Sequence, residues 1–267
     1  MSRTLPVLDH RGFGQTSRRD AWWVPNVPPL VIFTGFIIYA TWAAFQNAHY
    51  EFGPYLSPFY SPLLVGDSPH AWFGPKPAGW PGWIPFSPAL LILPFPALFR
   101  FTCYYYRGAY YKAFWADPPG CAVGEPRKGY RGERSFPLIL QNIHRYFLYF
   151  AVVIIVVLGY DAWKAFWFTD PATGVTHFGI GLGTLIMLAN VVLLAGYTFG
   201  CHAMRHLVGG MVDEVSRSPF RWLVYGISSV LNRAHMRWAW VSLFGVALTD
   251  VYIRLCSMGV LTDLRIL

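Results

Sequence analysis

From Phe147 to Tyr160 the chain reads FLYFAVVIIVVLGY, without one charged residue, and the span that begins near Leu138 carries a polar patch of Gln141, Asn142, His144 and Arg145 at its cytoplasmic end. About twenty residues of this kind form a helix of roughly 30 Å, the thickness of the hydrocarbon core of a bilayer. Four comparable stretches accompany it, near 29–49, 88–112, 178–207 and 236–260, with the central one taken as 138–161. Apolar residues make up 55% of the 267 and charged residues 13%, too apolar a balance for an ordinary soluble domain. The reading is an all-α integral membrane bundle of five transmembrane helices, forming one membrane domain behind a basic arm at 1–28.

Arginine and lysine set the orientation. They concentrate in the arm (Arg3, Arg11, Arg18, Arg19), in 113–137 (Arg127, Lys128, Arg131, Arg134) and in 208–235 (Arg217, Arg221, Arg233), whereas 50–87 and 161–177 hold few cations. Cytoplasmic loops carry that excess, so the N-terminus is expected inside, retained and without a cleaved leader. The formal charge of +8 is then accounted for by cytoplasmic loops and anionic lipid head groups, not by nucleic acid. The connection 50–87, dense in Pro, Gly and aromatic residues, is expected to hold only short turns, and Pro94 and Pro96 to kink the second span. The glycines 179, 181 and 183 are read as close helix packing. Asp250 and Arg254, four apart, read as an intrahelical ion pair.

With that topology Cys103, His144, Cys201, His202, His206 and His235 share the cytoplasmic end of the membrane, and Cys121 lies in the loop above. In a reducing compartment such thiols stay free or bind metal, while Cys256, toward the opposite side, reads as packing. Intramembrane ionisable groups are costly and mark sites. On a helix His202 and His206 share a face one turn apart. Two thiols with two imidazoles suit a Rieske-type [2Fe-2S] centre, two imidazoles alone suit a bis-histidine haem, and zinc accepts the same set. There is no HExxH, no nucleophile-elbow pattern and no carboxylate beside the histidines, so one-electron chemistry is favoured over hydrolysis. A non-redox anchor with a zinc or packing cluster is the second class; a small transporter is the third, weakened by the lack of paired broken helices.

The segments CYYYRGAYYKAFWADPPGCAVGEPRKGYRGERSFPLILQNIHRYFLYF, GYTFGCHAMRHLVGG, NRAHMRWAW and LTDVYIRL resemble the membrane-anchor subunit of succinate dehydrogenase, of the single-chain, five-helix, mycobacterial kind, over roughly residues 100–256. The resemblance implies a multi-pass protein of the bacterial plasma membrane with no activity alone. Its partners would be a flavoprotein subunit carrying FAD and an iron–sulfur subunit with further clusters, its substrate a membrane quinone, and its complex open to higher oligomers. Anchors of other classes often hold haem b; this class is regarded as lacking that arrangement, which favours an iron–sulfur centre with ligands ranked Cys201, His202 and His206, then Cys121 or Cys103, then His144 and His235. Arg145, Arg205, Tyr106 and Trp238 are the candidates to hydrogen-bond a quinone carbonyl.

Overall fold

The computed structural model describes residues 16, 18–116, 136 and 138–267. Cys121 and the basic cluster of the 113–137 connection lie outside the described residues. Among those described, four helices are long and apolar enough to cross a membrane: Val24–Gln46, Ile139–Lys164, Leu182–Phe199 and His235–Ser257. They contain the helices α1 (Val27–Gln46), α5 (His144–Lys164), α6 (Leu182–Phe199) and α9 (His235–Ser257).

The expected second span, 88–112, is instead a series of short helices, α2 (Ala89–Ile92), α3 (Pro94–Phe101) and α4 (Tyr104–Phe114). Pro94 has no amide hydrogen to donate, so the ladder is interrupted there. At Cys103 the backbone turns extended (φ −67°, ψ 129°), which ends one helix and starts the next. Among the described residues four of the five expected stretches therefore hold a helix of a span's length, and the fifth is a broken series of short ones.

The expected fourth span, 178–207, is also divided. α6 stops at Phe199, and a separate helix α7 (His202–Gly209) starts after Cys201, whose backbone is extended (φ −69°, ψ 144°). Gly200 makes the join because a Cβ there would lie 2.6 Å from the Gly196 carbonyl oxygen. The 208–235 connection, read as a loop, contains α8 (Pro219–Arg233), started by Pro219 and by the Ser218 hydroxyl accepting from the Arg221 amide at 3.4 Å.

The described residues of Met1–Tyr39 and Arg100–His144 form one compact unit; Ala40–Phe99 and Arg145–Leu267 form the other. The first is an aromatic cluster in which Phe33 meets Tyr106 and Tyr110 edge-on, both at 5.4 Å.

In the second unit α6 packs along α9, with Gly196 against the Trp238 ring and Gly245 against Leu193. Aliphatic residues of its helices, such as Val153, Val156, Val192 and Leu248, point outward, whereas Asn190, Thr198, Ser242, Thr249 and Asp250 are buried. That distribution suits a hydrocarbon solvent. At one end the 47–88 segment lies over the helix ends. It carries a hairpin of β1 (Glu51–Phe52) and β2 (Tyr55–Leu56), and Ser57 and Ser61 donate to Asp250 and Asp161. A second hairpin, β3 (Trp167–Thr169) with β4 (Thr176–Phe178), joins α5 to α6. The glycines before and in the first turn of α6 admit this cover rather than a neighbouring helix: Gly181 and Gly183 abut Tyr55, and Gly179 abuts Arg265 and Leu267. α7 and α8 occupy the opposite end of the unit, where α6 finishes and α9 begins.

Candidate functional site

The break after Gly200 gives α7 its own first turn. Cys201 precedes it and is buried, while His202 and His206, four residues on, face each other with Nε2 atoms 3.0 Å apart and rings 4.6 Å apart at 81°. One imidazole N–H donates to the lone pair of the other, so at least one ring is neutral. Burial, then the neighbouring His206 and Arg205 charges, holds His202 below the ordinary histidine range. Two nitrogens at this spacing can both bond one metal ion at about 2.1 Å each.

Arg205, on the same helix, is turned to α8: its Nη2 donates to the Tyr225 hydroxyl at 2.9 Å and the guanidinium lies 5.2 Å from that ring. Ser228 and Asn232 of α8 donate to the Phe199 and Gly200 carbonyls, each at 2.7 Å, satisfying acceptors left open where α6 ends. At the first residue of α9, His235 stacks on Tyr197 of α6 at 5.0 Å and 16°. One turn further, the Trp238 indole lies against Gly196, and its N–H is buried without a hydrogen-bond partner among the described residues. Arg145, near the start of α5, is exposed and rests on its neighbour Tyr146.

In the first unit His144 opens α5, and its Nδ1 shares a hydrogen bond with Thr102 Oγ1 at 2.9 Å. Both groups are buried, as is Cys103, which follows Thr102. A histidine held at Nδ1 presents its Nε2 in a fixed direction. Tyr106 is fully buried, and its hydroxyl accepts from Arg100 Nη1 at 2.7 Å.

Within neither unit do three His, Cys, Asp or Glu side chains among the described residues converge on one point. A Rieske-type centre asks less of any one point, two imidazoles on one iron and two thiolates on the other. The His202–His206 pair fits the first requirement, and the buried Cys201 thiol offers one donor for the second. The sequence reading had not named Thr102, Tyr197 or Tyr225, the partners of His144, His235 and Arg205. Thr102 and Tyr225 meet their partners beside the breaks at Cys103 and Gly200, and Tyr197 meets His235 across the α6–α9 contact; no spacing in the sequence carries any of the three.

A family model described as actinobacterial succinate dehydrogenase subunit SdhC matches residues 25–259. Among solved structures, a chain of the Mycobacterium smegmatis Sdh1 complex in the apo form is similar over 94% of both chains, with 44% identity and a TM-score of 0.81. A comparison with curated proteins returned no match.

Proposed function

Since this chain belongs to the family of actinobacterial succinate dehydrogenase membrane subunits, we propose that it receives electrons from a docked iron–sulfur subunit and delivers them to a membrane quinone through a Rieske-type [2Fe-2S] centre. The chain is a subunit of succinate dehydrogenase, a multi-pass protein of the bacterial plasma membrane, and works beside a flavoprotein subunit with FAD that oxidises succinate. The observation that carries the finer reading is the His202–His206 pair, two imidazole nitrogens 3.0 Å apart next to a buried cysteine.

His202 and His206 supply the imidazole side of the centre; Cys201 and a second cysteine supply the thiolate side. When bound, such a centre accepts and donates single electrons. The i,i+4 spacing on α7 fixes the two rings on one face, and the low affinity of His202 for protons keeps its nitrogen available for a bond to metal. Trp238 offers a buried N–H to a quinone carbonyl. Arg205 places a positive charge near the same helix end, where it favours the negative charge that grows on a quinone as it is reduced.

The test uses the assembled complex. Reduced wild type should show a Rieske-type EPR signal; His202→Ala and His206→Ala should each lose it and lose quinone reduction, while succinate oxidation by an artificial dye continues. A signal and a quinone rate both unchanged in the two variants would end the assignment.

A further inference from the structure

α8 presents its polar side to the protein and its apolar side outward. Ser228, Asn232 and Tyr225 fall within one third of its circumference and bond to α6 and α7. On the opposite side Phe220, Leu223, Ile227 and Val230 recur at three- and four-residue spacing, flanked by Trp222, and all five are 51–74% exposed. Gly226 opens a shallow apolar groove among Trp222, Leu223, Ile227 and Val230.

Two attachments fix where this strip lies. Its second half is bonded to the last carbonyls of one membrane-spanning helix, through Ser228 to Phe199 and Asn232 to Gly200. Its last residue, Arg233, stands two before His235, the first residue of another span. α8 is thus held across two helix ends at the level where both cross the membrane edge. Arg233 and Arg237 are exposed at the same place and have no ion-pair partner among the described residues. Their long stems let the charge reach lipid phosphates. Arg217, by contrast, is paired with Glu214 at 3.1 Å.

We propose that α8 is a membrane-surface helix whose Phe220–Leu223–Ile227–Val230 strip is sunk into the boundary between acyl chains and head groups, with Arg233 and Arg237 on anionic head groups. Trp222 at the rim of the strip suits that boundary, and an uncharged strip about three turns long with cations at its end is the pattern of an interfacial helix. The proposal rests on the membrane location of the chain and is independent of the redox centre.

The complex is assembled with p-benzoylphenylalanine in place of Leu223 or Ile227, or of Arg221 on the opposite side of α8 as the control. It is reconstituted into vesicles of phosphatidylcholine with a minority of phosphatidylglycerol, irradiated, and its adducts identified by mass spectrometry. At 223 and 227 the adducts should be phospholipid, at about tenfold the yield found at 221. Arg233→Gln with Arg237→Gln should lower the phosphatidylglycerol share of those adducts to its share in the vesicle. Adducts to another polypeptide, whether the soluble subunit or a second copy of this chain, or equal lipid yields at 221 and 227, would overturn the proposal. Where either label prevents assembly, Phe220, the most exposed of the strip, takes its place. Dye-linked succinate oxidation, unchanged throughout, reports that the complex is intact.

Discussion

Asp250 and Arg254, one turn apart on α9, form an ion pair at 2.7 Å with side chains 0% and 5% exposed. The same guanidinium donates to the Ala48 carbonyl at 2.8 Å and to the Ala43 carbonyl at 3.1 Å, so it also closes the C-terminal end of α1, where a cation is favoured. Ser57 of the covering segment donates to Asp250. One pair therefore ties α9, α1 and the 47–88 segment together.

Arg254→Gln should leave a buried carboxylate without its cation and cost about 3–5 kcal/mol. The readout is the thermal midpoint of the detergent-purified complex. Adding Asp250→Asn should recover a large part of the loss, because the uncompensated charge is removed with it. An unaltered midpoint in Arg254→Gln would mean the pair contributes nothing to stability.

Trp238→Phe keeps an aromatic ring against Gly196 and deletes a buried donor that has no partner among the described residues, so its cost to the thermal midpoint should be only that of the smaller ring, about 1 kcal/mol. Its effect should fall on quinone: KM for quinone rises about tenfold, as the loss of one hydrogen bond of roughly 1.4 kcal/mol implies, while dye-linked succinate oxidation is unaffected. A large stability loss with no change in quinone KM would assign the indole to packing.

Thr102→Val keeps the side-chain shape and removes the hydroxyl bonded to His144. With its Nδ1 partner gone the buried imidazole is left with an unsatisfied nitrogen, which should cost about 1–3 kcal/mol, read as the thermal midpoint of the complex. Thr102→Ser should recover most of that loss. Equal midpoints in all three proteins would show that the Thr102–His144 hydrogen bond contributes nothing to stability.

Gly183→Ala should destabilise the complex by about 1–3 kcal/mol, because the added methyl meets the Tyr55 ring. Gly159→Ala, with nothing within 4 Å of the new atom, is the control and should be neutral or slightly stabilising. A Gly183→Ala protein as stable as wild type would show that the covering segment shifts freely.

The sequence made some of this legible because certain interactions are local. Asp250 with Arg254 and His202 with His206 are both four apart, and helical periodicity alone brings each pair together. Helix breaks are harder to read. Gly200 and Cys103 interrupt their helices, yet glycine and cysteine are tolerated within transmembrane helices, so 178–207 and 88–112 read as continuous. α8 was hidden for a different reason: its polar residues are the ones that pack, and a segment rich in Arg and Ser beside a span reads as a connector. The glycines around α6 were read as helix contacts because the alternative, an aromatic ring arriving from 130 residues earlier in the chain, leaves no periodic trace. The sites that needed chain breaks to be positioned, Thr102 with His144 and Tyr225 with Arg205, were beyond reach for that reason.

Asp263 accepts from the hydroxyls of Tyr55 and Tyr252, each at 2.7 Å, and from the Gly183 amide at 3.0 Å. Three stretches of chain thus depend on one carboxylate, and no two of the four residues can be exchanged without regard to the others. In descent this makes them a single heritable character. Relatives that keep Asp263 should keep both tyrosines, and with the Tyr55 ring the glycine it rests on; a lineage that loses the carboxylate should be free to lose the other three.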